Sequence, residues 1–122
     1  MDEFWKDIPG YEGLYQISSK GRVKRILYRN QYATLILPRI MKLDSNDRGY
    51  LRVTLTKNGN RTQFRVHRLV AQCFIPNPDE LPEVNHIDMN KSNNNVDNLE
   101  WCTRDYNMKH WSNNRKKKED LI

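Results

Sequence analysis

The chain has 122 residues, of which 37% are hydrophobic and 30% charged, so we expect one domain with a small core. Its net charge of +6 is uneven: residues 20–72 hold 13 basic and 2 acidic side chains, whereas residues 73–101 hold 1 basic and 6 acidic ones. The sequence excludes a membrane span, which needs roughly 20 consecutive apolar residues, and residues 1–8 lack the apolar run of a signal peptide.

The first part of the chain predicts short antiparallel strands joined by tight turns. Residues 14–18 and 23–26 alternate apolar and polar side chains, and Lys20-Gly21 provides the turn between them. Residues 28–48 are basic and predict an irregular segment, with residues 35–37 as its only short strand. We therefore expect a hairpin followed by a basic loop.

The middle of the chain predicts a second hairpin and a short helix. Residues 50–56 and 61–67 flank Asn58-Gly59, which is a strong hairpin signal because both turn residues tolerate a positive φ. Residues 68–74 have one apolar face and predict a helix. That helix must stop before Pro76, because proline cannot continue it.

The last part of the chain predicts a strand, a polar loop, a second strand and a helix. Residues 83–87 favour a strand, and residues 88–95 consist almost entirely of loop-forming Asp, Asn, Ser and Lys. Residues 96–102 predict a short strand or turn. Thr103 is a good N-cap for a helix over residues 104–112.

This last segment carries the residues that could act in catalysis or bind a metal ion. Asn85 and His86 lie on the predicted strand, and Asn107 and His110 are three apart on the helix, so they share a face. If the helix packs back on the strands, a histidine lies beside oxygen and imidazole ligands. Such a site suits metal-assisted phosphodiester hydrolysis, in which the histidine takes a proton from water and a divalent ion stabilises the developing charge.

Three motifs follow one another along the chain. They are Trp5 to Ser18 with Gly21-Arg22-Val23, then Val66-His67-Arg68-Leu69-Val70-Ala71, and finally Val84-Asn85-His86-Ile87-Asp88 with Asn93-Asn94, Asn98-Leu99-Glu100-Trp101 and Asn107. Together they resemble the HNH homing endonucleases, the ββα-metal nucleases of phages and mobile introns. The resemblance implies an α+β fold, with antiparallel β-hairpins in the N-terminal part and a ββα-metal unit behind them. It also implies a divalent-metal-dependent DNA endonuclease.

The resemblance also implies a role for each matching residue. His86 takes the position of the general base. Asn98 takes that of the central asparagine, which holds the loop and the His86 imidazole through side-chain to backbone hydrogen bonds. Asn85 and Asn107 are candidate metal ligands, and His110 is a second candidate on the helix. One Mg²⁺ or Mn²⁺ ion is expected, because hard cations prefer oxygen ligands and the site contains no thiolate.

Two positions depart from the family's pattern. Asn85 stands where some subtypes carry Asp, and an amide is a neutral, weaker ligand for a hard cation. Met89 stands where the family usually has glycine. A non-catalytic DNA-binding protein derived from an HNH nuclease is therefore an alternative. A module whose basic face binds an acidic protein is a third interpretation.

The basic residues predict contacts with double-stranded DNA. Arg52, Arg61 and Arg65 should project from the second hairpin, and Arg68 and Lys91 are further candidates. Some family members carry a further C-terminal DNA-binding domain, whereas few residues follow the helix in this chain. An additional protein partner for site selection is therefore left open, and no membrane partner is expected.

We divide the chain into three parts. Residues 1–48 form an N-terminal nuclease-associated module with a basic loop, residues 49–112 the HNH region with its preceding hairpin, and residues 113–122 a basic tail. Cys73 and Cys102 lie outside any C-x-x-C pair, which argues against a zinc ribbon and fits a reducing compartment. We expect a cytoplasmic protein encoded by a phage or mobile element.

Overall fold

The computed structural model of the chain describes residues 2–26, 28–29, 35–36 and 38–120, with side chains described at 2–26 and 38–114. The helices are α1 (Val66–Phe74), a 3₁₀ turn (Val96–Asn98) and α2 (Arg104–Asp120). The strands, in chain order, are β1 (Trp5–Asp7), β2 (Tyr15–Ser18), β3 (Val23–Arg25), β4 (Tyr28–Arg29), β5 (Leu35–Ile36), β6 (Arg39–Ile40), β7 (Asp44–Ser45), β8 (Leu51–Lys57), β9 (Asn60–Arg65), β10 (Glu83–His86) and β11 (Leu99–Cys102).

Every strand pair among the described residues is antiparallel. The strands form sheets of order β1-β2-β3-β6 and β7-β8-β9, and two-stranded sheets β4-β5 and β10-β11. α1 packs against β2, β8, β9, β10 and β11, whereas α2 packs against β10. The predicted α+β fold is confirmed, and β10, β11 and α2 form the predicted ββα unit.

The first predicted hairpin is confirmed as β2 and β3, but the sequence underestimates the strands around it. β1 pairs with β2, and β6 pairs with β3, so the hairpin becomes a four-stranded sheet. Residues 28–48, expected to be irregular except at 35–37, also contain β4, β6 and β7, while Leu37 lies outside the described residues. These two-residue strands show no alternation, and they are defined by pairing with neighbours that sequence alone does not reveal.

The second hairpin is confirmed as β8 and β9. Its turn residues Asn58 and Gly59 have φ values of 52° and 80°, the left-handed conformation that this pair favours. The prediction that residues 66–67 extend β9 is wrong, because α1 begins at Val66. Val66, Leu69 and Val70 have the i, i+3, i+4 spacing of a helical face and are all buried.

The last helix begins as predicted and is longer than predicted. The Thr103 hydroxyl accepts a hydrogen bond from the Tyr106 backbone N–H at 3.1 Å, which satisfies one of the free donors of the first turn. The helix continues to Asp120 instead of ending at residue 112. Residues 113–120, predicted to belong to a basic tail, are therefore part of the helix. No glycine or proline interrupts this segment. Within the described ranges, no helix has the length and apolarity to cross a membrane.

A single hydrophobic cluster joins the beginning of the chain to the ββα unit. Its buried members come from the first strands, the second hairpin, α1, β10 and β11: Ile8, Tyr15, Ile17, Val23, Val53, Leu55, Val66, Leu69, Val70, Ala71, Val84 and Leu99. The N-terminal strands and the ββα unit therefore stabilise each other through a shared core.

Gly21, in the turn between β2 and β3, lies directly against the polar loop of the ββα unit. Its φ is +85°, and a Cβ at this position would approach the Asn94 Cβ to 2.7 Å and the Asn94 backbone oxygen to 3.1 Å. Next to this contact, the Val96 N–H donates to the Ser19 carbonyl oxygen at 2.8 Å. The first hairpin thus fixes the position of Asn94 in the loop.

We expect Gly21→Ala to destabilise the protein more than Gly10→Ala. Both glycines have φ of +85°, but nothing lies within 4 Å of a Cβ at Gly10. Gly10→Ala should cost about 1–2 kcal/mol for the left-handed backbone alone. Gly21→Ala should cost about 1–3 kcal/mol more, because Asn94 must move. Urea unfolding of the two variants measures the difference, and equal losses would contradict the close contact.

Candidate active site

The loop between β10 and β11 is held by the side-chain amide of Asn98. Its Oδ1 accepts the Asp88 backbone N–H at 3.0 Å, and its Nδ2 donates to Asp88 Oδ1 and to the Asn93 carbonyl oxygen, both at 2.9 Å. The Asp88 carboxylate also accepts from the Asn93 side chain at 2.9 Å. These hydrogen bonds join the beginning of the loop to its end, and they lower the pKa of Asp88, with the bond from Asn93 the largest cause.

His86, at the end of β10, is buried and is oriented by Asn94. Its Nε2 lies 2.7 Å from Asn94 Oδ1, and its side chain is only 1% exposed. An amide oxygen accepts hydrogen bonds, so Nε2 carries the proton and Nδ1 keeps its lone pair. Within the described part of the chain, Nδ1 has no hydrogen-bond partner. The bond to the imidazole therefore comes from Asn94, whereas the expected side-chain contact came from Asn98.

Two further rings surround the His86 imidazole. The His67 ring stacks on it with centroids 5.0 Å apart, and Tyr50 stacks on His67 at 5.2 Å. Burial lowers the pKa of His86, and it lowers the pKa of His67 to about 3, with the positive charges of neighbouring side chains adding to the effect. Both imidazoles are therefore neutral at physiological pH, the form in which a histidine can accept a proton.

Two buried oxygens of the site have no partner. Among the described residues, three buried side-chain polar atoms form no hydrogen bond: Oδ1 of Asn85, Oδ1 of Asn107 and Nδ2 of Asn94. Buried polar atoms are nearly always satisfied, so such orphans point to an ion or ligand that completes them. Asn85 and Asn107 lie on β10 and α2, which pack against each other. Their neutral oxygens are ligands that a hard divalent cation accepts.

The site contains no acidic or thiolate metal cluster. No group of three or more His, Cys, Asp or Glu side chains in the described ranges could hold a metal ion. Cys102 is buried and Cys73 half-buried, and both are free thiols. Any cation at this site would therefore depend on amide oxygens together with oxygens supplied by substrate or water.

Asn107 lines two adjoining clefts of about 380 and 240 Å³. Basic side chains border both. The larger cleft is lined by Arg48, Tyr50, Arg65, His67, Arg68, Glu83, Val84 and Asn107, and the smaller one by Tyr50, Lys91, Asn107, Met108 and Trp111. Asn107 therefore borders a concave surface that also carries Arg48, Arg65, Arg68 and Lys91.

His110 is bonded differently from Asn107. Its Nε2 lies 3.1 Å from the Ile87 carbonyl oxygen, and its Nδ1 lies 3.5 Å from Asn114 Nδ2. A carbonyl oxygen accepts, so Nε2 carries the proton. Both ring nitrogens of His110 therefore have partners within the protein. The bond to Ile87 connects α2 to the segment that follows β10.

The other departure from the family's pattern has a visible conformational cost. Met89 has a φ of 64°, in the left-handed region, and its N–H donates to the His86 carbonyl oxygen at 3.0 Å. Glycine adopts this conformation freely, whereas a residue with a Cβ is strained by about 1–2 kcal/mol. The loop keeps the tight turn behind His86 despite this residue.

The five candidate DNA-binding residues divide into two groups. Arg65, Arg68 and Lys91 border the clefts. Arg65 and Lys91 both lie over the Tyr50 ring, at 5.3 and 4.8 Å from its centroid. Arg52 is directly opposite Arg65 in the β8–β9 ladder but is paired with Asp44 at 2.8 Å, and Arg61 is exposed nearer the turn.

The sequence pattern does not identify four residues that the fold brings to this site. They are Arg48, Tyr50, His67 and Asn94. Asn94 lies within the third motif, close in sequence to His86, but the neighbouring asparagines are equally good candidates from sequence. Arg48 and Tyr50 come from the segment before β8 and His67 from α1, and no local spacing relates them to His86.

Comparison with known proteins gives the two halves of the chain separate family matches. A family model described as the NUMOD4 motif matches residues 3–56, and a model described as HNH endonuclease matches residues 64–109. The second match contains β10, the loop, β11 and the start of α2. It therefore covers His86, Asn85, Asn98 and Asn107.

Two curated relatives have related sequences. The chain is 52% identical over 69 residues to the uncharacterised HNH endonuclease L245 of Acanthamoeba polyphaga mimivirus, covering 57% of this chain and 21% of that protein. It is 41% identical over 104 residues to DNA endonuclease I-HmuI of Bacillus phage SP01, covering 85% of this chain and 55% of that protein. The chain thus spans about half or less of the length of these relatives.

A solved structure has the same fold over nearly the whole chain. It is described as DNA binding and cleavage by the HNH homing endonuclease I-HmuI, and it matches with a TM-score of 0.71 and 35% identity. The match covers 97% of this chain and 65% of that one. Both family models occur in the order that the motifs predict and the fold agrees, so the chain contains an HNH endonuclease region preceded by a NUMOD4 motif.

Proposed function

We propose that this chain hydrolyses phosphodiester bonds of double-stranded DNA as a divalent-metal-dependent endonuclease of the homing type. The observation that carries the proposal is the pair of buried, unpartnered amide oxygens of Asn85 and Asn107 in the same ββα unit as the neutral, oriented His86. Relatives named as DNA endonucleases support the substrate class. The chain spans 55% of the curated relative I-HmuI and 65% of the chain in the solved structure.

In the proposed reaction His86 is the general base. The lone pair of Nδ1 accepts a proton from water, and the hydroxide oxygen attacks phosphorus. The bond from phosphorus to the 3′ oxygen breaks, and that oxygen takes up a proton to give 3′-hydroxyl and 5′-phosphate ends. Asn94 contributes by holding Nε2, since its carbonyl oxygen fixes the tautomer that leaves Nδ1 free.

The residues present fit a divalent ion, which the HNH family generally uses. Asn85 Oδ1 and Asn107 Oδ1 would hold it, because both are buried oxygen acceptors that the described protein leaves unsatisfied. A bound divalent ion supplies Lewis-acid stabilisation of the charge that develops on the phosphate and the leaving oxygen. Mg²⁺ or Mn²⁺ suits these ligands, because neither requires a thiolate.

The basic clefts around Asn107 would hold the DNA strand. Arg65, Arg68 and Lys91 border them and can contact phosphate oxygens, while Arg52 and Arg61 extend the basic face along the hairpin. Phosphate contacts position a protein on DNA without specifying a sequence. The alternative, a DNA-binding protein that has lost catalysis, predicts the same basic surface, so a plasmid-nicking assay with Mg²⁺ and with EDTA distinguishes the two.

His86→Ala should reduce single-turnover cleavage by about 10²–10⁴-fold, because a positioned general base contributes about this much. DNA binding measured in EDTA should stay within a few-fold of the unmodified protein. His110→Ala is the comparison and should lose much less, since its ring nitrogens are engaged with Ile87 and Asn114. If His86→Ala loses binding and cleavage equally, His86 has a structural role.

Cleavage lost in EDTA should return on addition of Mg²⁺ or Mn²⁺. Asn107→Ala should raise the Mg²⁺ concentration needed for half-maximal cleavage, because one of the two buried ligands is removed. Asn113→Ala, an exposed asparagine of the same helix, is the matched control and should behave as the unmodified protein. Cleavage that persists in EDTA would refute the metal-dependent mechanism.

Arg65→Ala should weaken binding to all DNA sequences alike and reduce the slope of log K against log salt by about 0.9, the value expected for one lost phosphate contact. Arg52→Ala should have a smaller effect, since Arg52 lies opposite Arg65 but is already paired with Asp44. Titrations at several salt concentrations measure both. A larger effect from Arg52 would place the DNA on a different part of the hairpin.

A further inference from the structure

Asn85 is bonded to a carboxylate on the neighbouring strand. It lies directly opposite Glu100 in the β10–β11 ladder, and its Nδ2 donates to Glu100 Oε1 at 2.9 Å. Asn85 is 1% exposed, and its Oδ1 has no partner within the described residues. Because opposed residues of an antiparallel pair are held close by the ladder itself, strand register fixes this contact.

The carboxylate decides which way the amide points. A carboxylate only accepts hydrogen bonds, so it must face the Nδ2 end of Asn85, and the oxygen end is turned away from it. Rotating the amide by 180° would put oxygen against oxygen and remove a charge-assisted hydrogen bond, which is roughly twice as strong as a neutral one. Glu100 therefore determines that Asn85 presents an oxygen, and not an NH₂ group, on its other side.

The same bond increases the negative charge on that oxygen. A carboxylate bonded to the NH₂ group of an amide favours the resonance form with negative charge on oxygen, just as outer partners raise the basicity of metal-binding side chains. We propose that Glu100 is a positioning residue that aims Asn85 Oδ1 at the divalent ion and increases its charge. The Asn85–Glu100 pair would then replace a carboxylate ligand. This inference rests on the metal site of the proposed function.

Glu100 also lies near the start of α2, the helix that carries Asn107. It lines a cleft of about 370 Å³ together with Leu81, Trp101 and Tyr106, and Tyr106 belongs to the first turn of α2. Glu100 thus contacts the buried Asn85 amide and borders a cleft that the start of α2 also lines.

The test is metal binding by the whole chain without DNA, measured from the electron paramagnetic resonance signal of free Mn²⁺. Glu100→Gln should weaken Mn²⁺ binding by about 10–100-fold, as loss of an outer partner does. Asn85→Asp alone should also weaken it, because two carboxylates would then face each other. Asp97→Asn removes one exposed negative charge from the 3₁₀ turn before β11, and it should leave the affinity unchanged.

The double variant Asn85→Asp with Glu100→Gln provides the decisive measurement. The new Gln can donate its NH₂ group to the new Asp, which restores an oriented, charged oxygen ligand, so Mn²⁺ affinity should return to within a few-fold of the unmodified protein. The Mg²⁺ dependence of cleavage should follow the same order of variants. This rescue is expected of a positioning pair and not of a carboxylate that merely stabilises the fold.

Three results would overturn the proposal. They differ in whether they also contradict the metal site of the proposed function. If the unmodified protein binds no Mn²⁺ and cleaves no DNA, the metal site and the role of Glu100 both fail. If it binds Mn²⁺ but Glu100→Gln behaves like Asp97→Asn, only the role of Glu100 fails. If Glu100→Gln weakens binding and the double variant does not recover it, Glu100 acts through something other than the Asn85 amide.

Discussion

The side-chain amide of Asn98 is the interaction on which the rest of the site depends. It uses both of its donors and its acceptor inside the loop, on Asp88 and on the Asn93 carbonyl oxygen. The loop is rich in polar residues that would otherwise prefer water, so its shape requires such internal partners. With its two ends tied together, the loop presents Asn94 to His86 and allows β11 to pair with β10.

The N-terminal module contributes to the same geometry from outside the HNH region. Gly21 lies so close to Asn94 that a Cβ at position 21 would be only 2.7 Å from the Asn94 Cβ. Beside this contact, the Ser19 carbonyl oxygen accepts a hydrogen bond from the Val96 N–H. The shared hydrophobic core makes these contacts rigid, because the first hairpin and the ββα unit pack on the same helix. A NUMOD4 motif ahead of an HNH region thus has a physical purpose in this chain: it supports the loop that orients the histidine.

The side chains at the centre of the candidate site are electrically neutral. His67 and His86 are stacked and neutral, and the two unpartnered oxygens belong to amides. The charges lie one layer further out, with Glu100 behind Asn85 and arginines and Lys91 around Asn107. This arrangement keeps the desolvation cost of the buried centre low. In the proposed reaction, the phosphate and the divalent ion would bring the charge to that centre.

The amino-acid sequence by itself determined several local structures and the residue types that make up the candidate site. The Asn58-Gly59 turn, the two hairpins, the Thr103 cap and the order of the three motifs depend on neighbours in sequence, and the fold agrees with them. The short strands between residues 28 and 48, the start of α1 at Val66 and the length of α2 differ from the sequence prediction, because pairing and packing decide them.

Only the tertiary structure decided which partner each polar group takes. Asn94 rather than Asn98 holds the imidazole, His110 bonds to a backbone carbonyl, and Asn85 meets Glu100. The physical reason is that each asparagine amide has a donor end and an acceptor end, and that several asparagines of the loop have similar neighbours in sequence. Strand register, the approach of Gly21 to the loop and the packing of α2 on β10 choose among them, and those contacts join residues far apart in the chain.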